Sequence, residues 1–417
     1  MLKYHLKQQT PMIHFQHYED GACLRASEVK PKLDRFIVKQ MGGEKSIDDK
    51  WWANPKKDKK GDIMQPSFNY KMRFEAEGTP EISTNICKSY FGNLAHEIKN
   101  YKKTVFYPKG VNMTIVCFHK TLLEKINELL PLFFLTHNFG TRQSKGFGSF
   151  LLSNENGKVC YEPENILTEY LRRNGKSAYY FDVNKYSTNP KTTNPYSHAM
   201  DAIDMFYKVL KNGFNNGSNK YKPSYLMKKY FKGVINDKRI MKQALVNTDL
   251  FMLTTTSGKG IAYYDDGKKT LLVKDTVELK GFYIRGLLGY AQEYTFRDVI
   301  SKDTRKKLNV KFTVDGDDVK RFASPILFKP LRIDKNNSAR VYLIPNRDMF
   351  AKLDGKSVIL ICKADRGATA IETNALDNIK LNLPLKYNPD FLDDFFEKAS
   401  EDCANGYTFN RYKLVRR

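Results

Sequence analysis

Three glycines and two cations lie close together in HNFGTRQSKGFGS, residues 137–149. Gly140, Gly146 and Gly148 give backbone freedom, so N–H groups can come close to a phosphate chain. Arg142 and Lys145 bring positive charge, and Thr141, Gln143 and Ser144 bring hydrogen-bonding groups. Phe139 and Phe147 have two uses open to them: stacking on bases, or anchoring the loop in a core. The same composition also serves a tight, basic helix-to-strand connection. Nucleotide-triphosphate and dinucleotide binding are set aside. GKS occurs at 175–177 and 355–357 without the earlier glycine of GxxxxGK[ST], and the Gly146–Gly148 pair lacks a third glycine.

Acid–base chemistry has one pair of candidates, His14 and His17. A histidine near its ordinary pKa suits metal-independent RNA cleavage through the 2′-hydroxyl. Both also read as ordinary loop histidines, or one as a hydrogen-bond partner of RNA. His96, His119 and His137 have no spacing that suggests a shared metal. Asp315, Asp317 and Asp318 in VDGDDVKRF lack the further ligands of a calcium loop, and a polar turn explains them more simply. Glu19 and Asp20 beside Gly21 read as another turn. Cys23, Cys87, Cys117, Cys160, Cys362 and Cys403 contain no CxxC pair, so neither zinc nor a disulfide framework is expected. No metal and no cofactor is expected. Trp51 and Trp52 precede PKKDKK at 55–60, which suits either base stacking or an exposed loop after packed aromatics. The terminal RYKLVRR is basic enough to touch phosphate and equally suits a frayed tail.

The wider composition points the same way. Lys and Arg number 70 against 46 Asp and Glu, a formal charge of +24 over 417 residues. Such an excess gathers polyanions and gains from counterion release on phosphate, so nucleic acid is the leading partner and a merely solvated surface the alternative. Hydrophobic residues at 41% supply real cores, which excludes global disorder. The N-terminus lacks a signal-peptide h-region, and apolar runs such as Leu129–Leu135 fall short of the roughly 20 residues that span a bilayer. A cytoplasmic protein with no membrane partner is the expectation.

These residues must be positioned by α+β units. A strand is expected over Leu2–Gln8 and a helix over Glu28–Gln40. Phe68, Tyr70, Met72 and Phe74 alternate with polar neighbours as in a half-buried strand over Ser67–Ala76, and a further strand follows at Val111–His119. From Lys120, Leu122, Ile126, Leu129, Leu130 and Phe133 recur at helical spacing, with Pro131 placed to kink or end the helix. The strand–helix–strands–helix–strand order over 1–155 fits a ferredoxin-like split βαβ arrangement. Residues 156–235 turn polar and basic, with helices expected over Pro163–Arg173 and His198–Asn212 and a loop over 212–223, and read as a helical insertion. A second α+β unit spans 236–417, with strands at Phe251–Thr256, Thr270–Leu279, Ala339–Pro345 and Val358–Cys362 and a helix over 387–402.

On these residues the chain resembles the CRISPR-associated RAMP superfamily. GTRQSKGFGSF at 140–150 resembles the glycine-rich loop near the end of RAMP domains in type III effector subunits. LRASEVKPKLDRF at 24–36, after the Thr10-Pro11 turn, resembles the segment opening the first helix. Leu24, Arg25, Ser27, Lys30 and Arg35 match in kind, while Pro31 replaces the usual glycine and removes a backbone donor. KGFYIRGLLGY at 280–290 and RFASPILFKPLRI at 321–333 resemble the helix-opening and Ser-Pro strand segments of a second RAMP domain. The likeness covers both ends of the chain but not 156–235, and is greatest to the two-domain first subunit of the Cmr complex.

The resemblance implies two ferredoxin-like (RAMP/RRM-like) domains with a helical insertion, single-stranded guide or target RNA as ligand, and other RAMP-type effector subunits as partners. It implies contacts from Arg142 and Lys145 in the loop, Arg25 and Lys30 at the first helix, and Arg285, Arg321 and Lys329 in the second domain. The expected role is an RNA-binding subunit of a CRISPR guide-RNA effector complex. A repeat-RNA-processing endoribonuclease using His14 or His17, and a general RNA-binding scaffold, are the alternatives.

Overall fold

The computed structural model describes residues 1–14, 22–53, 67–83, 104–154, 156–183, 195–216, 220–253, 263–265, 270–272, 280–290, 293–315, 322–333, 338–364 and 367–417. By contacts the chain forms two compact units: Met1–Phe206 with Ile326–Ile344 and Phe396–Arg417, and Tyr207–Pro325 with Pro345–Phe395.

The first unit opens with β1 (Leu2–Gln8), α1 (Ala26–Gln40), β2 (Tyr70–Ala76), the short pair β3 (Glu81–Ser83) and β4 (Thr104–Phe106), β5 (Val111–Cys117), α2 (Lys120–Thr136) and β6 (Phe150–Ser153). Its sheet runs β2-β5-β1-β6 with every pairing antiparallel. Along β5, Val111, Met113 and Ile115 are buried while Asn112 and Val116 are exposed, so the sheet has one core face and one open face there, whereas at β6 Phe150, Leu151 and Leu152 are all buried and both faces are covered. Val29, Leu33, Phe36 and Ile37 of α1 and Leu122, Ile126, Leu130 and Phe133 of α2 join Leu6 and Ile115 in one core cluster. Pro131 neither ends nor breaks α2, which runs on to Thr136 with Phe133, Phe134 and Leu135 buried beyond it. Packing of that apolar face outweighs the missing backbone bond.

Beyond β6 the chain departs from a separate insertion. α3 (Pro163–Arg173) is followed by β7 (Tyr179–Val183) and α4 (Pro195–Tyr207). β7 pairs antiparallel with strand Ala339–Pro345 on one side and Val415–Arg416 on the other, and strand Ile326–Ile333 forms the far edge of that sheet. Residues 156–206 are thereby built into the first unit, and so is the strand at Ala339–Pro345 that was expected in the second. Pro330 is accommodated because its strand is an edge. The stretch expected as a loop at 212–223 contains two paired strands, Phe214–Asn216 and Lys220–Lys222.

The second unit carries a seven-stranded sheet in the order Thr270–Leu272, Tyr263–Asp265, Phe251–Leu253, Glu293–Ser301, Lys307–Asp315, Ser357–Ala364 and Lys380–Pro384. One pairing is parallel, Leu253 with Tyr263. The C-terminal helix, Phe391–Ala404, starts in this unit, and from Phe396 onward it belongs to the first. Among the described residues no helix is long and apolar enough to cross a membrane.

One buried carboxylate joins α1 to β2. Asp34, 1% exposed, accepts from Lys30 Nζ at 2.8 Å, Tyr70 Oη at 2.7 Å and the Phe68 N–H at 3.2 Å. Burial pushes its pKa up, and Lys30 and the hydrogen bonds pull it back. Asp34→Ala leaves a phenol, an ammonium and an amide without their acceptor. Urea unfolding of that variant should show a loss of about 3 kcal/mol, with Asp34→Asn losing less because it keeps the shape.

Candidate nucleic-acid interface

The glycine-rich loop is held from behind on every side. Phe139 N–H donates to Gly148 O at 2.9 Å, Gly148 N–H to Pro11 O at 2.9 Å and Thr141 N–H to Ile13 O at 2.8 Å. Thr10 Oγ donates to Gly146 O at 2.5 Å and accepts from Ser149 N–H at 3.0 Å. Gly148 has φ +66°, and a Cβ there would lie 1.9 Å from the Phe139 carbonyl oxygen, so glycine is required by space as well as conformation. Arg142, at φ +56°, takes the same left-handed region without being glycine. Gln143–Lys145 forms a single 3₁₀ turn.

α1 supports this loop directly. Glu28 Oε1 accepts from the Gly140 N–H at 2.7 Å and from Lys32 Nζ at 2.9 Å. Lys32 Nζ also reaches Gln143 Oε1 at 3.1 Å and lies 4.9 Å from the Phe139 ring centre. Asn138 Nδ2 donates to Gln143 O at 2.8 Å and to Phe328 O at 3.0 Å. Lys329, fully buried, donates to His137 O at 2.9 Å and Asn138 Oδ1 at 3.1 Å. Burial holds its pKa well below the ordinary lysine value. Beside it His137 is pushed down to about 4 by burial, so the ring is neutral at physiological pH.

The residues singled out from sequence therefore divide. Arg25 is exposed immediately before α1, and Arg142, Gln143 and Ser144 are half-buried at the loop's outer turn. Through Glu28 and Lys32 these lie on neighbouring backbone, so α1's start and the loop present one polar edge. Phe139 and Phe147 are both fully buried, which makes them anchors of the loop and not stacking platforms. The Lys145 Nζ atom is enclosed. Lys30 is committed to Asp34, to Ser67 Oγ at 2.9 Å and to Phe68 O at 2.8 Å. Lys329 shapes the loop from inside. His14 is buried at 2% exposure. His17, Arg321 and the PKKDKK tract lie outside the described residues, while Trp51 and Trp52 pack on Phe68 in the core. Sequence reading placed Thr10 in a turn without giving it a role in the loop, and passed over Lys32 and Asn138. The spacing of Glu28 and Lys32, four apart on a helix, was the one legible signal among them.

In the second unit, the segment 280–290 holds a buried 3₁₀ turn at Ile284–Leu288. Arg285 is 8% exposed, donates to Asp237 Oδ2 at 2.6 Å and stacks on Tyr294, its guanidinium 4.4 Å from the ring centre. It is an interior ion pair. Nearby, buried Lys211 donates to Gly289 O. Among the described residues no group of His, Cys, Asp or Glu could hold a metal ion.

Two outcomes follow from this geometry. Gly148→Ala should lower stability by at least about 2 kcal/mol in urea unfolding, because the loop must move to admit the methyl group. Burial pushes Lys211 down to about 7, with Arg285 adding to it and Asp237 opposing. Below that pH the folded and unfolded chains both carry the charge, and the penalty of burying it is full. Above it only the unfolded chain holds the proton, so stability rises with pH up to the ordinary lysine range. Unfolding free energies of wild type and Lys211→Met, measured from pH 7 to 10, should shift steadily in favour of wild type.

The model of the Cmr1 N-terminal domain matches residues 1–214, and that of the Cmr1 C-terminal domain matches residues 221–414. No curated protein matches this chain. Among solved structures, the crystal structure of Cmr1 from Pyrococcus furiosus in its apo form aligns with 100% of this chain and 98% of its own, at 10% identity and a TM-score of 0.38. With both domain models matched in order along nearly its whole length, the chain belongs to the Cmr1 family.

Proposed function

We propose that this chain holds single-stranded guide or target RNA within a CRISPR effector complex, through the edge formed by Arg25, Arg142, Gln143 and Ser144. Membership of the Cmr1 family implies a type III-B CRISPR effector subunit, and with it other effector subunits and RNA. The observation that carries the reading is the loop's construction: a rigid, inwardly bonded frame that presents arginine and amide groups beside the exposed Arg25. Such a frame binds phosphate without having to order itself first. The work is done in the cytoplasm, where the guide RNA is held.

A ferredoxin-like reading of residues 1–155 is supported by the order β1-α1-β2-β5-α2-β6 and by the antiparallel sheet β2-β5-β1-β6. The processing-nuclease alternative draws nothing from His14, which is buried.

The test is a filter-binding titration of labelled single-stranded RNA, in chelator, with wild type and Arg25→Ala/Arg142→Asn. Asparagine tolerates the left-handed backbone at 142. The variant should bind more weakly, at a temperature and denaturant concentration where its own unfolding curve shows it folded. Its slope of log K against log salt should shrink by about 1.4, at roughly 0.7 per lost phosphate contact on a single strand. Unchanged binding, or cleavage of the RNA, would overturn the proposal.

A further inference from the structure

On the side away from the core, β2, β5 and the start of β1 carry charge that the glycine-rich loop does not use; towards β6 that face is covered, with Leu151, opposite Lys7, 2% exposed and His5 5% exposed. β2 and β5 pair with Lys71 opposite Val116 and Arg73 opposite Thr114, and β1 continues the second row with Lys3 opposite Thr114. Opposed residues share a face, so Arg73, Thr114 and Lys3 form one line across three strands, about 10 Å from end to end at the usual strand spacing. Lys7 lies on that face of β1 as well. Lys3, Lys7, Lys71, Arg73 and Val116 are all exposed. Just past β5, Phe118 is 93% exposed, a large aromatic ring in water at the end of the basic rows.

We infer that this open sheet face is a second single-stranded RNA platform, separate from the loop, with the lysines and arginine tracking the backbone and Phe118 stacking on a base. The inference rests on the RNA-binding reading above for its ligand class. Charge decides the occupant. Four cations flank the face against two carboxylates: Glu75, 2.6 Å from Arg73, and Glu77 at its edge, 3.5 Å from the His5 ring. A docked protein would need a contiguous apolar patch, and here Val116 and Phe118 are the apolar side chains. A basic groove with an exposed aromatic is the combination that holds a single strand without reading its sequence.

The full-length chain is titrated with a labelled oligouridylate of about 20 nucleotides, long enough for one such site. Wild type is compared with Lys71→Gln/Arg73→Gln, with Phe118→Ala and with the loop variant, and photo-crosslinked peptides are mapped. The Lys71/Arg73 variant should lose about 1.4 from its salt slope. Phe118→Ala should bind at least about fivefold more weakly. Both losses should add to that of the loop variant, and crosslinks should fall on the peptide that contains Phe118. Lys71, Arg73 and Phe118 are exposed, so the unfolding midpoints of the face variants should not move. If crosslinks fall on 137–149 alone and the face variants bind as wild type, the platform is refuted and the loop reading stands. Losses from the face variants with none from the loop variant would sustain the platform and refute the loop. If the face variants keep RNA but lose an acidic effector subunit, the face is a protein contact and the inference is refuted. Wild type that binds no oligouridylate at low salt refutes both.

Discussion

A single buried amine sets the geometry on which the candidate RNA edge depends. Lys329 comes from the edge strand Ile326–Ile333, is fully enclosed, and reaches the carbonyl of His137, the side chain of Asn138 and, at 3.4 Å, the carbonyl of Phe150. Those three acceptors are the end of α2, the base of the glycine-rich loop and the start of β6. A carbonyl at the end of a helix has no partner within the helix, and burying one unpaired is unfavourable by a few kcal/mol. Lys329 supplies the missing donor, and the apolar surroundings that depress its pKa also strengthen each of these bonds. With Asn138 fixed, its amide can span Gln143 O and Phe328 O, and the loop has one shape.

That constraint explains why so much of the loop points inward. Phe139, Phe147, Thr10 and Lys32 all work on its inner side, and the close passage of Gly148 past the Phe139 carbonyl leaves no room for slack. Only the outer turn is left to face solvent, and it carries Arg142, Gln143 and Ser144. Rigid presentation matters for a polyanion ligand. A cation on a mobile loop loses conformational entropy on binding, whereas a cation on a frame already fixed loses little.

Much of this was legible in the residues themselves. The alternation in β2 and β5, the apolar spacing of α1 and α2, and the clustered glycines each report local geometry, and local geometry is what periodicity encodes. The interior roles of Lys329 and Arg285 were not legible. A lysine or arginine letter signals charge for a partner, and only the fold reveals that Asp237 or a set of carbonyls already occupies it. Strand β7 was missed for a related reason. Its hydrogen-bond partners lie at Ala339–Pro345 and Val415–Arg416, far along the chain, so a short apolar run inside a polar region with helical neighbours read as part of an insertion. The strand's own alternation, Tyr179, Phe181 and Val183 buried against Asp182 exposed, spans five residues and does not show which distant strands it pairs with.

The formal charge of +24 cannot be spread evenly if some of its cations are spent indoors. Lys30, Lys32, Lys329 and Arg285 each satisfy buried or half-buried acceptors, and none is available to neutralise a phosphate without breaking a contact worth more than the one gained. Among the surface cations of the first unit, two groups sit on differently built edges, the loop tip with Arg25 and the outer face of the sheet at β2, β5 and β1. A loop tip offers a few donors in fixed directions, which suits gripping one stretch of backbone. A sheet face offers rows at regular spacing, which suits following a strand along its length. The two demands differ, and a sheet whose outer face stays exposed at β2 and β5 offers the second beside the loop that offers the first.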